Sequence, residues 1–267
     1  MLQPIIVIIY LAAAGLIAWG IYKDRPSGRR LGLTLSIVGT LLHAASFVFE
    51  ISRIGGFPAD FFSALSLVSA TVLIVLLAVM PRYRSFELLM LALPGAGLMV
   101  LTRLMIGPEP SVLQTGTPML DLHVIASLTA YSLLSIAAVT ALVIALVHNM
   151  LHRRIGGALL EILPPLVSME QLLFRMISVG WMILTLSLAT GLMFVDDLFA
   201  QHLGHKTFLS IISWFVFGGL LFGRWRFGWR GMRVVRLTLI GMAILVLAYF
   251  GAKAVLELLL HKRWDGG

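Results

Sequence analysis

Apolar runs of about 20 residues follow one another through this chain with only short polar breaks between them. At 1.5 Å of rise per residue, each such run is long enough to cross the hydrocarbon of a bilayer as a helix. Eight are read, at Pro4–Tyr22, Leu31–Ile51, Phe62–Met80, Glu87–Met105, Leu122–Val147, Leu172–Phe194, Thr207–Phe222 and Val234–Leu260. A backbone in lipid must satisfy its own hydrogen bonds, and apolar runs of this length do so as helices. The expected fold is therefore all-α, a polytopic membrane bundle of about eight transmembrane helices, with residues 1–267 forming a single transmembrane domain. Of the 267 residues 60% are hydrophobic and 12% charged, which leaves no soluble domain between the spans.

The charges that remain are arranged by side. Lys23, Arg25, Arg29 and Arg30 follow the first span, Arg82 and Arg84 the third, Arg153 and Arg154 the fifth, and Arg224, Arg226, Arg230 and Arg233 the seventh. Basic loops are kept on the cytoplasmic side, so these are expected to face inwards and both termini outwards. The alternate loops are sparser and more acidic, with Arg53 and Asp60, then Glu109 and Asp121, then Asp196, Asp197 and Lys206. The basic tail "HKRWDGG" sits against this assignment. No positive charge precedes the first span and a basic cluster follows it, so it is read as a retained helix rather than a secretion signal. The net charge of +8 is thus mostly topological, and arginines dispersed over loops without a binding module argue against nucleic acid. Lipid is the expected first partner.

Cysteine is absent, which excludes disulfide exchange, thiolate metal sites and covalent haem attachment through a CxxCH motif. Redox chemistry would need a bound cofactor. Among the histidines only His148/His152 and His202/His205 are close in sequence, and the first pair sits beside Arg153 and Arg154, where it reads as interfacial. The segment "MLHRRIGGALLEILPPLVSM", residues 150–169, reads as an amphipathic stretch along the membrane surface, broken at Pro164 and Pro165.

Ionisable groups inside spans are costly in lipid and turn into the bundle. Ser36, Thr40, His43, Phe47 and Glu50 share one helix face in the second span, and His123, Ser127 and Tyr131 share one in the fifth. His43 and His123 fall towards the same membrane face. Two readings stay open for each: a side chain bonded or solvated locally, or an axial ligand to haem iron in a bundle core. Arg103 and Lys253 are cations at costly depth, with either haem propionates or Glu50, Asp121, Asp196 or Asp197 as partners. Lys206 and His205 precede the seventh span, His205 as a third candidate ligand. Ser63, Ser66 and Ala70 read as small residues for helix contact, Pro94 with Gly95 and Gly97 as a kink, and "GRWRFGWRG" as an interfacial anchor.

Several longer phrases carry a family resemblance. "LLHAASFVFE", "MLDLHVIASLTAYSLLSIA", "LPPLVSMEQLLFRMISVGWMILTLSLATGL", "HKTFLSIISWFVFGGLLFGRWRFGWRG" and "LAYFGAKAVLELLL" together resemble the YpjD branch of the cytochrome c assembly superfamily, which also includes HemX and CcsA proteins. The likeness runs over nearly the whole chain and implies a haem-handling inner-membrane protein, a non-catalytic assembly factor rather than an enzyme. The family histidine that opens a helix and is followed by tyrosine matches His123 and Tyr131, and the second-helix histidine matches His43. The tryptophan-rich WGxxWxWD loop of haem-exporting CcsA proteins is absent, with "VDDLFAQHLGHKTF" in its place, and the helix after it lacks the histidine of those proteins. That departure concerns haem presentation to an apocytochrome; the resemblance still implies haem within the bundle.

The expected cofactor is haem b, its iron held by His43 and His123, with Tyr131, His205, Arg103, Lys206 and Lys253 around it and Glu50 and Ser127 orienting the ligands. Other cytochrome c assembly or membrane proteins are the expected partners. Two further readings use the same scaffold: a transporter or transporter accessory for a small solute or ion, with Ser36, Glu50, His123 and Lys253 lining its cavity, and a scaffold for assembly partners.

Overall fold

In the computed structural model, residues 2–58, 60–83, 86–106, 112–113, 118–153, 165–193 and 204–251 are described. They form eight helices long and apolar enough to cross a membrane. In chain order these are α1 (Leu2–Tyr22), α2 (Pro26–Ile54), α3 (Phe61–Tyr83), α4 (Phe86–Ile106), α5 (Pro118–His152), α6 (Leu166–Met193), α7 (Gly204–Phe227) and α8 (Met232–Val246). A π-helical turn, Leu247–Gly251, extends α8. Two short strands, β1 (Phe57–Pro58) and β2 (Val112–Leu113), pair antiparallel, with Phe57 opposite Leu113. The chain is an all-α polytopic membrane protein.

Helices overrun the apolar windows where the flanks are polar. α2 starts at Pro26, whose fixed φ suits a first helical position, and takes in Arg29 and Arg30 before the hydrophobic run begins. It stops at Gly55, where φ is +72° and the amide donates to the Ile51 carbonyl at 2.9 Å. α5 starts four residues before the apolar run and ends five after it, because helical hydrogen bonds persist at a wet interface where apolar side chains are no longer needed. Pro94 lies inside α4, which continues through it. Of the expected surface stretch 150–169, the first residues end α5 and the last begin α6; residues 154–164 lie outside the described residues.

Close contacts gather the helices into two compact units, α1–α4 and α5–α8. In the first, α1 packs against both α2 and α4, and α3 against α4 and α2. The α1–α2 hairpin is unusually close because glycines face the partner backbone. A Cβ on Gly32 would stand 2.6 Å from Ile17 Cγ1 and 3.0 Å from the Ala13 carbonyl, and one on Gly28 would stand 2.9 Å from Gly20 Cα. Without a hydrophobic drive between helices in lipid, such close approach is what holds them together. Gly32→Val is expected to cost about 2 kcal/mol by forcing the hairpin open. Gly15→Ala, whose Cβ would meet nothing within 4 Å, is expected to be neutral or slightly stabilising. Thermal unfolding in detergent measures both; equal midpoints would refute the packing argument.

In the second unit α5 packs along α6 and against α8, and α7 lies between α6 and α8. Trp181 and Trp214 stack at 5.2 Å, each indole N–H satisfied: Trp181 donates to the Trp214 carbonyl and Trp214 to Thr185 Oγ1. Arg224 lies 4.4 Å over Phe174 and Trp214 meets Thr185, so α6 and α7 run antiparallel. At the α7–α8 turn Trp229 folds onto Gly223, Phe227 stacks on it and Arg233 covers it at 5.2 Å, while Trp225 stays 81% exposed. That geometry suits the expected interfacial anchor.

Candidate functional site

The α2 face singled out by the sequence is buried: Ser36, Thr40, His43 and Phe47 are each 3% exposed or less. A glycine one turn before His43 explains how the histidine finds a partner. A Cβ on Gly39 would meet the Tyr10 ring at 2.9 Å, so α1 lays Tyr10 on bare backbone and its hydroxyl reaches His43 Nδ1 at 3.0 Å. On the other side Nε2 meets Ser66 Oγ at 3.0 Å. Both ring nitrogens of His43 are therefore committed to hydroxyls in the first unit, and the ring is 2% exposed. An iron ligand needs an uncommitted nitrogen lone pair, so His43 as held here does not fit that role.

One turn further along, α2 carries Phe47 and then Glu50, which meets Arg103 from α4. The guanidinium Nη2 donates to both carboxylate oxygens at 2.5 Å, Nε donates to Ser63 Oγ at 2.9 Å, and the group lies 4.8 Å over the Phe47 ring. Arg103 and Glu50 side chains are 11% and 22% exposed. Arg103 is thus neutralised by Glu50, one of the partners the sequence allowed, and the guanidinium has no need of a propionate. Ser63 and Ser66, expected as spacing residues, bury as expected but also put their hydroxyls to use. Asp60 caps α3, its Oδ1 accepting the Ser63 amide at 2.8 Å.

His123 belongs to the second unit and stands differently. Its Nδ1 lies 2.9 Å from the Ser187 carbonyl and 3.3 Å from Thr190 Oγ1. A carbonyl only accepts, so Nδ1 carries the proton and donates. The Thr190 hydroxyl spends its own proton on the Leu186 and Ser187 carbonyls, leaving its oxygen to accept from the ring. Ser127 donates to the His123 carbonyl at 2.7 Å and lies 2.7 Å from Ser187 Oγ, which therefore donates to it. Nε2 has no hydrogen-bond partner among the described residues. A histidine with Nδ1–H on a backbone carbonyl and Nε2 uncommitted is arranged as metal-ligating histidines are. His123 fits a haem ligand; His43 does not.

Tyr131, two turns after His123, points elsewhere. Its hydroxyl donates to the Leu245 carbonyl just before the π turn, and its ring packs edge-on against Phe250. It ties α5 to α8 and its donor is used. Lys206 lies in the first turn of α7 and is half-buried. The side chain of His205, and Lys253, Asp196, Asp197 and Glu109, lie outside the described residues. Among the described residues there is no cluster of three or more histidine, aspartate or glutamate side chains suited to a bare metal ion.

Sequence reasoning missed Tyr10, Ser187, Thr190 and Gly191, and read Ser66 for its size rather than for its hydroxyl. Tyr10 was legible as the one hydroxyl in the interior of an apolar first span. Ser187, Thr190 and Gly191 fall in "LSLATGL", whose clustering of small and polar groups in a span is a contact signal.

These helices and their buried polar groups accord with the comparisons to known proteins. A family model described as cytochrome C assembly protein matches residues 31–260. The chain belongs to that family. It is 32% identical over 252 residues to the inner membrane protein YpjD of Escherichia coli K12, covering 94% of this chain and 95% of that one. An uncharacterised 28.8 kDa protein of Azospirillum brasilense is 36% identical over 57% of this chain and 58% of its own. The cytochrome c biogenesis protein CcsA of Gloeobacter violaceus is 24% identical over 38% of this chain and 30% of its own. No solved structure gives a significant match.

Proposed function

We propose that this family member is a membrane-embedded haem-handling factor of cytochrome c biogenesis, non-catalytic, that holds haem b through His123. The observation that carries the reading is the state of that imidazole: Nδ1–H engaged by the Ser187 carbonyl, with Nε2 uncommitted among the described residues. Haem supplies an iron that one neutral imidazole nitrogen can bind. The chain's part is to bury one face of the imidazole against α6 and orient it through Ser127, Ser187 and Thr190, with Lys206 in the first turn of α7 as a cation of the same unit. Lipid surrounds the bundle, and other assembly proteins are the partners this role calls for.

Protein purified after expression with ample haem is expected to show a Soret band that His123→Ala abolishes. A colourless wild type, or a band unchanged by His123→Ala, would overturn the reading. Transport of a small solute or ion draws on a different observation: Asp60 Oδ2 is buried without a hydrogen-bond partner among the described residues. Thermal stabilisation by a solute in haem-free protein, lost in Asp60→Asn, would favour that second reading.

A further inference from the structure

The α6 surface beneath His123 is bare at one position. A Cβ on Gly191 would stand 2.8 Å from His123 Cε1, 3.2 Å from Nδ1 and 3.7 Å from Nε2. Contacts under 3.0 Å do not occur between a Cβ and a ring atom, so any side chain at 191 must push the imidazole off α6. Gly191 lies in the last turn of α6, where glycine is a poorer helix former than alanine by up to roughly 1 kcal/mol. It stands in αR like its neighbours, so no backbone requirement explains it. What its missing Cβ provides is access: the ring lies against the helix and Nδ1 reaches the Ser187 carbonyl one turn back.

That carbonyl selects between tautomers. Facing an oxygen with no proton of its own, only the Nδ1–H form makes the bond at 2.9 Å. The Thr190 oxygen, its own proton spent within α6, reinforces the same choice at 3.3 Å. Ser187 and Ser127 then fasten α5 to α6 at the His123 carbonyl, fixing the base of the side chain as well as its edge.

We propose that Gly191 is a positioning residue for the donor imidazole: its bare backbone lets the Ser187 carbonyl hold His123 as Nδ1–H, which presents the Nε2 lone pair to an iron centre. The inference rests on the haem reading for its purpose, but the tautomer itself is a property of the haem-free chain and is tested there.

The full-length protein in detergent, without haem and with nitrogen-15 in its histidines, is examined above neutral pH, where an imidazole carries one ring proton. His123→Asn assigns the signal among the seven histidines. Wild type is expected to show His123 as Nδ1–H. Gly191→Ala is expected to lose that signature to the Nε2–H form or a mixture, while Gly219→Ala, whose Cβ would meet nothing within 4 Å, keeps it. A wild-type His123 in the Nε2–H form overturns the proposal whether or not any variant folds; so does a folded Gly191→Ala with the wild-type signature. Adding haem separates the two ideas. A wild type that carries the Nδ1–H signature but takes up no haem sinks the haem reading and leaves the positioning role standing. In a wild type that does bind haem, Gly191→Ala is expected to lower occupancy at least tenfold relative to Gly219→Ala, and equal occupancy counts against the proposal.

Discussion

Arg103→Met is expected to destabilise the α1–α4 unit by about 3 kcal/mol, because it breaks an ion pair whose side chains are 11% and 22% exposed. Glu50 would be left as a carboxylate 22% exposed, with its bidentate partner gone, and Ser63 would lose the donor at its hydroxyl. Glu50→Leu alone is expected to cost a similar amount, because an unpaired guanidinium over Phe47 is no better tolerated than an unpaired carboxylate. Replacing both by apolar residues is expected to recover most of the loss, since a buried pair spends nearly all its attraction on desolvation. Thermal midpoints of the two single variants and the double variant decide the matter. Midpoints that fall additively would mean the groups do not act as a pair. The Soret band of any folded Arg103→Met protein is expected to persist, because the guanidinium is already committed to Glu50.

His43→Ala is expected to cost about 3 kcal/mol as well, by a different route. It leaves a cavity beside Phe47, which lies 5.5 Å from the imidazole, and orphans the hydroxyls of Tyr10 and Ser66. Burial makes both losses expensive, since no water reaches a ring 2% exposed. The informative measurement sets unfolding beside absorbance. His43→Ala is expected to lower the thermal midpoint while the folded protein keeps its Soret band. His123→Ala is expected to do the reverse, losing the band with a smaller change in midpoint, because His123 is only partly buried and one of its nitrogens makes no bond among the described residues. A folded His43→Ala that is colourless would return His43 to the ligand set.

The two histidines looked alike in sequence because helical spacing reports only which face a residue shares. The row Ser36, Thr40, His43, Phe47 told that α2 turns this face inward, and it does. The row could not report that Tyr10 arrives from α1 on one side and Ser66 from α3 on the other, because hydrogen-bond partners on different helices have no fixed separation in sequence. Glu50 and Arg103 are 53 residues apart, and His123 and Ser187 are 64 apart. Tyr131 shows the same limit from the other direction. It shares a face with His123 by spacing, yet two turns of helix carry it past α6 to α8, where it binds the Leu245 carbonyl.

What the sequence determined unaided was the number of crossings, the all-α class and the burial of its polar stripes, because apolar length and the obligation to satisfy backbone groups in lipid act locally along the chain. Only the tertiary structure decided which imidazole keeps a nitrogen uncommitted among the described residues. That depends on what each helix meets: on Gly39, Tyr10 and Ser66 around one ring, and on Gly191 and the Ser187 carbonyl beneath the other.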